Sequence, residues 1–251
     1  MSRTRPYAVA VASLLAFAVA LPVAAGDPPP GFTSLFNGKD LTGWTVPAGD
    51  GGHWKVVDGV IDYDAQSESP AQDKSLWSVG EYGDFVLRVE WRIKETPYVN
   101  PNVPIIRSDG SHKKGPDGKE IKLAVPDSDS GVYLRGSSRA QVNMWCWPIG
   151  SGEVYGYRMD RNMPAEVRAG VTPKANADRD IGEWNAFEIT MKGDRLTVVL
   201  NGVTVLENAQ LPGVPAKGPI GLQHHGAKKD GVWVSPPALV QFRNISIKEL
   251  K

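Results

Sequence analysis

The chain has 251 residues with 28 basic and 28 acidic side chains, a formal net charge of zero. That balance excludes the basic footprint rewarded by nucleic acid or an anionic membrane. With 27 Gly, 20 Pro and a single Cys, the composition favours short strands joined by turns and excludes an intramolecular disulfide.

At the N-terminus, Arg3 and Arg5 precede an apolar run from Ala8 to Leu21, and Val23-Ala24-Ala25 offers the small residues read by a signal peptidase. Residues 1–25 are therefore expected to be a signal peptide, sending the rest to the periplasm or the medium. The run is shorter than the about 20 helical residues that a bilayer core requires, so no membrane span is expected after cleavage. Asp27-Pro28-Pro29-Pro30-Gly31 reads as a stiff lead-in. Residues 26–251 suit one all-β domain, a sandwich of two sheets.

Period-two alternation then recurs along the chain. Strands are expected at Trp54 to Val57 and Val60 to Tyr63, turned by Asp58-Gly59. In Phe85 to Ile93 every odd position is apolar, while Arg88, Glu90 and Arg92 point the other way. Further strands are expected at Gly131 to Arg135, Gln141 to Trp147, Ile220 to His225 and Val240 to Ile247. Trp184 to Met191, Leu196 to Leu200 and Val203 to Leu206 form a meander closed by Asn201-Gly202, which suits a two-residue turn with positive φ at both positions. The segments Thr96 to Asp129 and Arg158 to Asp180 read as long loops, the first with room for a small hairpin.

Gln141 to Trp147 is the most informative stretch. Val142, Met144 and Cys146 form one face, suited to the core; Gln141, Asn143, Trp145 and Trp147 form the other. Two amides beside two indoles suit a sugar, because indole faces stack on pyranose C–H bonds while amides bond its hydroxyls. Tyr133 and Arg135 share a strand face, as do Gln223 and His225; Glu153 and Tyr155 follow shortly after the Trp pair. Adjacent His224 and His225 point to opposite faces of a strand, so one site takes only one of them. Asp127-Ser128-Asp129 is similar to a fragment of a cation loop but lacks further ligand spacing, and no metal or cofactor is expected.

These residues also resemble a family. Phe32-Thr33-Ser34-Leu35-Phe36-Asn37-Gly38-Lys39-Asp40-Leu41-Thr42-Gly43-Trp44 is similar to the opening of the 3-keto-disaccharide hydrolase domain. Ser130-Gly131-Val132-Tyr133-Leu134-Arg135, Gly182-Glu183-Trp184-Asn185, Gly221-Leu222-Gln223-His224-His225-Gly226 and Phe242-Arg243-Asn244-Ile245-Ser246-Ile247 continue it in order. The resemblance implies a concanavalin A-like jelly roll with a sugar site on its concave sheet. It further implies cleavage of an oxidised glycoside or disaccharide carrying a ketone at ring carbon 3. On that basis Arg135, Gln141, Asn143, Trp145, Trp147, Tyr155 and Gln223 are candidates for binding substrate, with Glu153 or His225 handling protons. Many relatives carry Glu where this chain has Gln141, and a neutral amide is no general base. A non-catalytic carbohydrate-binding module of the same fold is the alternative.

Overall fold

The structure, a computed structural model, describes residues 27–251; the expected signal peptide lies outside them. Phe85–Ile93 forms as its alternation dictates, with Phe85, Leu87, Val89, Trp91 and Ile93 buried and Arg88 exposed. It pairs with Asn185–Lys192 on one side and Val240–Glu249 on the other. The meander continues through Arg195–Leu200 and Val203–Gln210. Its turn has φ of +52° at Asn201 and +85° at Gly202, the left-handed pair the sequence requires. Lys55–Val57 and Val60–Asp62 extend the opposite side, and Thr33–Ser34 pairs with the last strand, giving eight strands.

The second sheet has five strands, in the order Ser137–Trp145, Asp129–Leu134, Gly218–Leu222, Leu76–Tyr82, Trp44–Thr45. Every strand pairing is antiparallel, and the whole is the all-β jelly-roll sandwich expected. Leu87, Trp91, Phe187 and Ile189 of the larger sheet share one core with Val132, Leu134, Val142, Met144, Ile220 and Leu222 of the smaller. Burying each side chain of this size contributes roughly 1.5–3 kcal/mol, which a chain without a disulfide depends upon.

The structure departs from expectation in a few places. Leu76–Tyr82 is a strand that the sequence pattern hides. The Arg158 to Asp180 segment contains the short helix Ala165–Gly170, whereas the Thr96 to Asp129 segment holds the hairpin it had room for, Tyr98–Pro104 with Lys122–Asp127. The strand carrying Gln141 ends at Trp145, because the chain then turns, with Gly150 N–H donating to the Trp147 carbonyl at 2.8 Å. Cys146 therefore leaves the sheet and is half-buried against the core instead of inside it. Burial still pushes its thiol up to about 12. Among the described residues no helix is long and apolar enough to cross a membrane.

Candidate active site

Register assembles the site on the outer face of the five-stranded sheet. Gln141 lies opposite Tyr133, Asn143 opposite Gly131 and Trp145 opposite Asp129. Gly221 sits between Tyr133 and Trp77 in the next two strands. A Cβ on Gly221 would come within 2.7 Å of the Trp77 ring, so only glycine lets Trp77 and Tyr133 close over it. The two rings stack at 5.3 Å with planes 16° apart. Trp77 donates its indole N–H to Asp73 at 2.8 Å, leaving a partly exposed aromatic platform. Burial raises the Tyr133 phenol to about 12, so it stays a donor at neutral pH.

Gln141, Asn143 and Gln223 come together as the alternation predicted. Gln141 donates from Nε2 to the Ser130 carbonyl at 3.2 Å and to Gln223 Oε1. Gly131 has no Cβ because the Gln141 side chain lies across it, with Cγ at 2.7 Å from where that atom would stand. Trp145 stacks on Trp147 at 4.1 Å and meets Tyr155 edge-on. Trp145 is thus covered and bonded to the Gly150 carbonyl, whereas the half-buried Trp147 donates to Asp127 at 3.0 Å.

Arg135 requires a correction. The strand ends at Leu134, Arg135 has a φ of +51°, and the shared face with Tyr133 is lost. Its guanidinium, 1% exposed, donates to Asp84 and to the carbonyls of Gly83, Gly193 and Pro215. Arg135 is a clamp between loops, not a substrate ligand.

Glu153 reaches this side of the sheet through its backbone, whose carbonyl accepts from Asn143 N–H at 3.0 Å. Its carboxylate is fully buried and accepts from Arg158 Nε at 2.7 Å. Arg158 also donates from Nη1 to His112 at 2.9 Å, and His112 meets the carboxylate of Glu120 at 3.0 Å. Glu153 Oε2 and Arg158 Nη2 have no partner among the described residues. Burial raises Glu153 to about 7 despite the opposing charge of Arg158. A carboxylate held this way is poorly placed to receive a proton from a ligand.

His225 is better placed. As expected, the histidines diverge: His224 meets the Tyr63 hydroxyl through Nδ1, and burial lowers it to about 4. His225 Nδ1 donates to the Pro236 carbonyl at 2.6 Å, and its side chain remains 34% exposed. The sequence pattern does not disclose Trp77 or Asp129: Leu76 to Tyr82 alternates weakly, and Asp129 reads as part of a fragment similar to a cation loop.

Comparisons with known proteins agree with this fold. The profile of the 3-keto-alpha-glucoside-1,2-lyase-like domain matches residues 31–248. A crystal structure described as a candidate glycosyl hydrolase from Parabacteroides distasonis ATCC 8503 is 24% identical, with a TM-score of 0.53, covering 88% of this chain and 84% of that one. A second candidate glycosyl hydrolase from that organism is 19% identical, with a TM-score of 0.53, over 88% of this chain and 95% of that one. No curated protein sequence matches the chain.

Proposed function

Because the chain belongs to the 3-keto-alpha-glucoside-1,2-lyase-like domain family, we propose that it is a periplasmic or secreted enzyme cleaving glycosides or disaccharides oxidised to a ketone at carbon 3. The ketone acidifies the hydrogen on carbon 2. A base that removes it allows the substituent on carbon 1 to leave, and water then adds to the product, so that the net change is hydrolysis. His225 supports this reading: its Nδ1–H is committed to Pro236, leaving Nε2 as an accessible acceptor on the face that carries Gln141, Gln223 and Asn143. The three amides bind sugar oxygens, and the exposed parts of Trp77 and Trp147 offer apolar faces.

A second reading, a carbohydrate-binding module without turnover, draws support from Gln141. The position that carries Glu in many relatives here holds a neutral amide bonded to another amide, Gln223. Incubation with matched native and 3-keto glycosides separates the two. Release of sugar from the keto series alone is expected; binding without release from either series supports the module instead.

A further inference from the structure

We infer that Asp129 is a second catalytic residue of this site, sharing one proton with His225 and supplying it to the oxygen that leaves carbon 1. This rests on the proposed 3-keto-glycoside chemistry. Asp129 opens its strand opposite Trp145, on the face that bears Tyr133 and Gln141. Its Oδ2 lies 3.9 Å from His225 Nε2. Among the described residues, His225 is the one basic group within 4 Å of Asp129.

One short loop positions both partners. The Pro236 carbonyl accepts from His225 Nδ1 at 2.6 Å, and the Pro237 carbonyl accepts from Asp129 N–H at 3.3 Å. Ala238 N–H returns to the His225 carbonyl at 2.9 Å. A carbonyl can only accept, so His225 carries its first proton on Nδ1 and turns a lone pair on Nε2 towards Asp129. Two bare lone pairs facing each other repel, and a single proton on either one removes the conflict. At 3.9 Å the two atoms are too far apart to hydrogen-bond directly, and a substrate oxygen seated beside the pair can bond to both.

The rest of the environment keeps that proton mobile. Asp129 Oδ1 is shut from solvent with no partner among the described residues, while the side chain as a whole stays 22% exposed. Burial raises the proton affinity of Asp129 well above the usual carboxylate range, His225 opposes this, and Asp127 adds to it. The other ionisable groups whose fields reach the pair are Glu153, Tyr133, Cys146 and His224. Glu153, tied to Arg158, is a positioning residue at most.

The proton balance closes. One member of the pair takes the hydrogen from carbon 2, whose electrons form the enolate with the ketone. The bond from carbon 1 to oxygen then breaks, and the departing oxygen takes the proton that the pair already held. The pair starts and ends with one proton, and nothing is oxidised or reduced.

The test compares Asp129→Asn and His225→Gln on two 3-keto glucosides, one with an alkyl leaving group and one with 4-nitrophenol. Asp129→Asn should lower kcat on the alkyl substrate roughly a hundredfold with KM little changed. The loss should shrink to under about tenfold with 4-nitrophenol, which leaves without a proton. Equal losses on both substrates, or none, would overturn the role of Asp129. Should the wild type cleave neither substrate, the proposed function falls, and carboxyl-carbon NMR still judges the pair. Removing the His225 side chain's charge should make Asp129 keep its proton to higher pH, and unchanged Asp129 titration in His225→Gln would overturn the shared proton.

Discussion

The outer faces of the two sheets carry ion pairs of the same length in different surroundings. On the eight-stranded sheet Arg88 meets Glu188 at 2.7 Å and Arg243 meets Glu90 at 2.7 Å, with side chains 25–44% exposed. On the five-stranded side Arg158 meets Glu153 at 2.7 Å with both side chains at 1% exposure or less. Water can reach every charge on the first face, and such pairs contribute about 0–1 kcal/mol. On the second face Glu153 Oε2, Arg158 Nη2 and Asp129 Oδ1 have no partner among the described residues. Polar groups are buried there in excess of what the fold can satisfy, and stability alone does not select for that. The difference marks the candidate functional face more sharply than either face's residue types do.

The largest expected effect comes from breaking the buried pair. Arg158→Ala strands the Glu153 carboxylate and should cost about 3–5 kcal/mol in urea unfolding, a large share of a typical domain's stability. Replacing both partners, Glu153→Leu with Arg158→Met, should recover most of that loss. The contrast between the faces breaks if Arg158→Ala costs no more than a surface substitution.

The next effect is a dependence on pH. Glu153 titrates at about 7 in the folded chain against 4.5 as its ordinary value. The folded state therefore holds the proton more tightly than the unfolded one. Its contribution to stability is fully present below about pH 4.5 and lost as pH rises through about 7, a change on the order of 3 kcal/mol. Burial raises Asp127, Asp129 and Asp178 as well, so part of the slope belongs to them. Melting temperatures of wild type and Glu153→Gln should coincide near pH 4.5 and separate as pH rises to 8, the wild type falling below the variant. Parallel curves would place the titration elsewhere.

How much of this the sequence discloses depends on how locally each feature is determined. Phe85–Ile93 emerges to the residue because its alternation is unbroken, and the Asn201-Gly202 turn because φ is decided by two residues. Leu76–Tyr82 stays hidden because an inward position is filled by Ser78, whose hydroxyl is satisfied locally by the Gly80 carbonyl at 2.7 Å. In the site, strand parity suffices to place Gln141 and Asn143 on one side; Gln223 and His225 lie just past the end of Gly218–Leu222 and are held by Gln141 and by the Pro236 carbonyl. Arg135 escapes parity, since a single residue of positive φ past the strand end redirects it. Glu153 was legible as a carboxylate near the site but not as half of an ion pair. Its partner lies on the next short helix, Tyr155–Arg158, and the burial of both depends on the packing of distant segments.

The smallest expected effect tests the exposed face itself. Arg88 donates to Glu188 from both Nε, at 2.8 Å, and Nη2, and its guanidinium also lies 4.8 Å from the centre of the Phe32 ring. By contact geometry alone it rivals Arg158. Yet the side chains are 44% and 40% exposed, so water solvates both charges whether or not they touch, and holding them in place costs rotamer entropy. Arg88→Ala should therefore lower stability by no more than about 1 kcal/mol, and raised salt should weaken the pairing further. A double-mutant cycle with Glu188→Ala isolates the pair from the Phe32 contact, with a coupling energy of about 0.2–1 kcal/mol expected. Coupling as large as that between Arg158 and Glu153 would show that pair length, and not access of water, sets the energy on both faces.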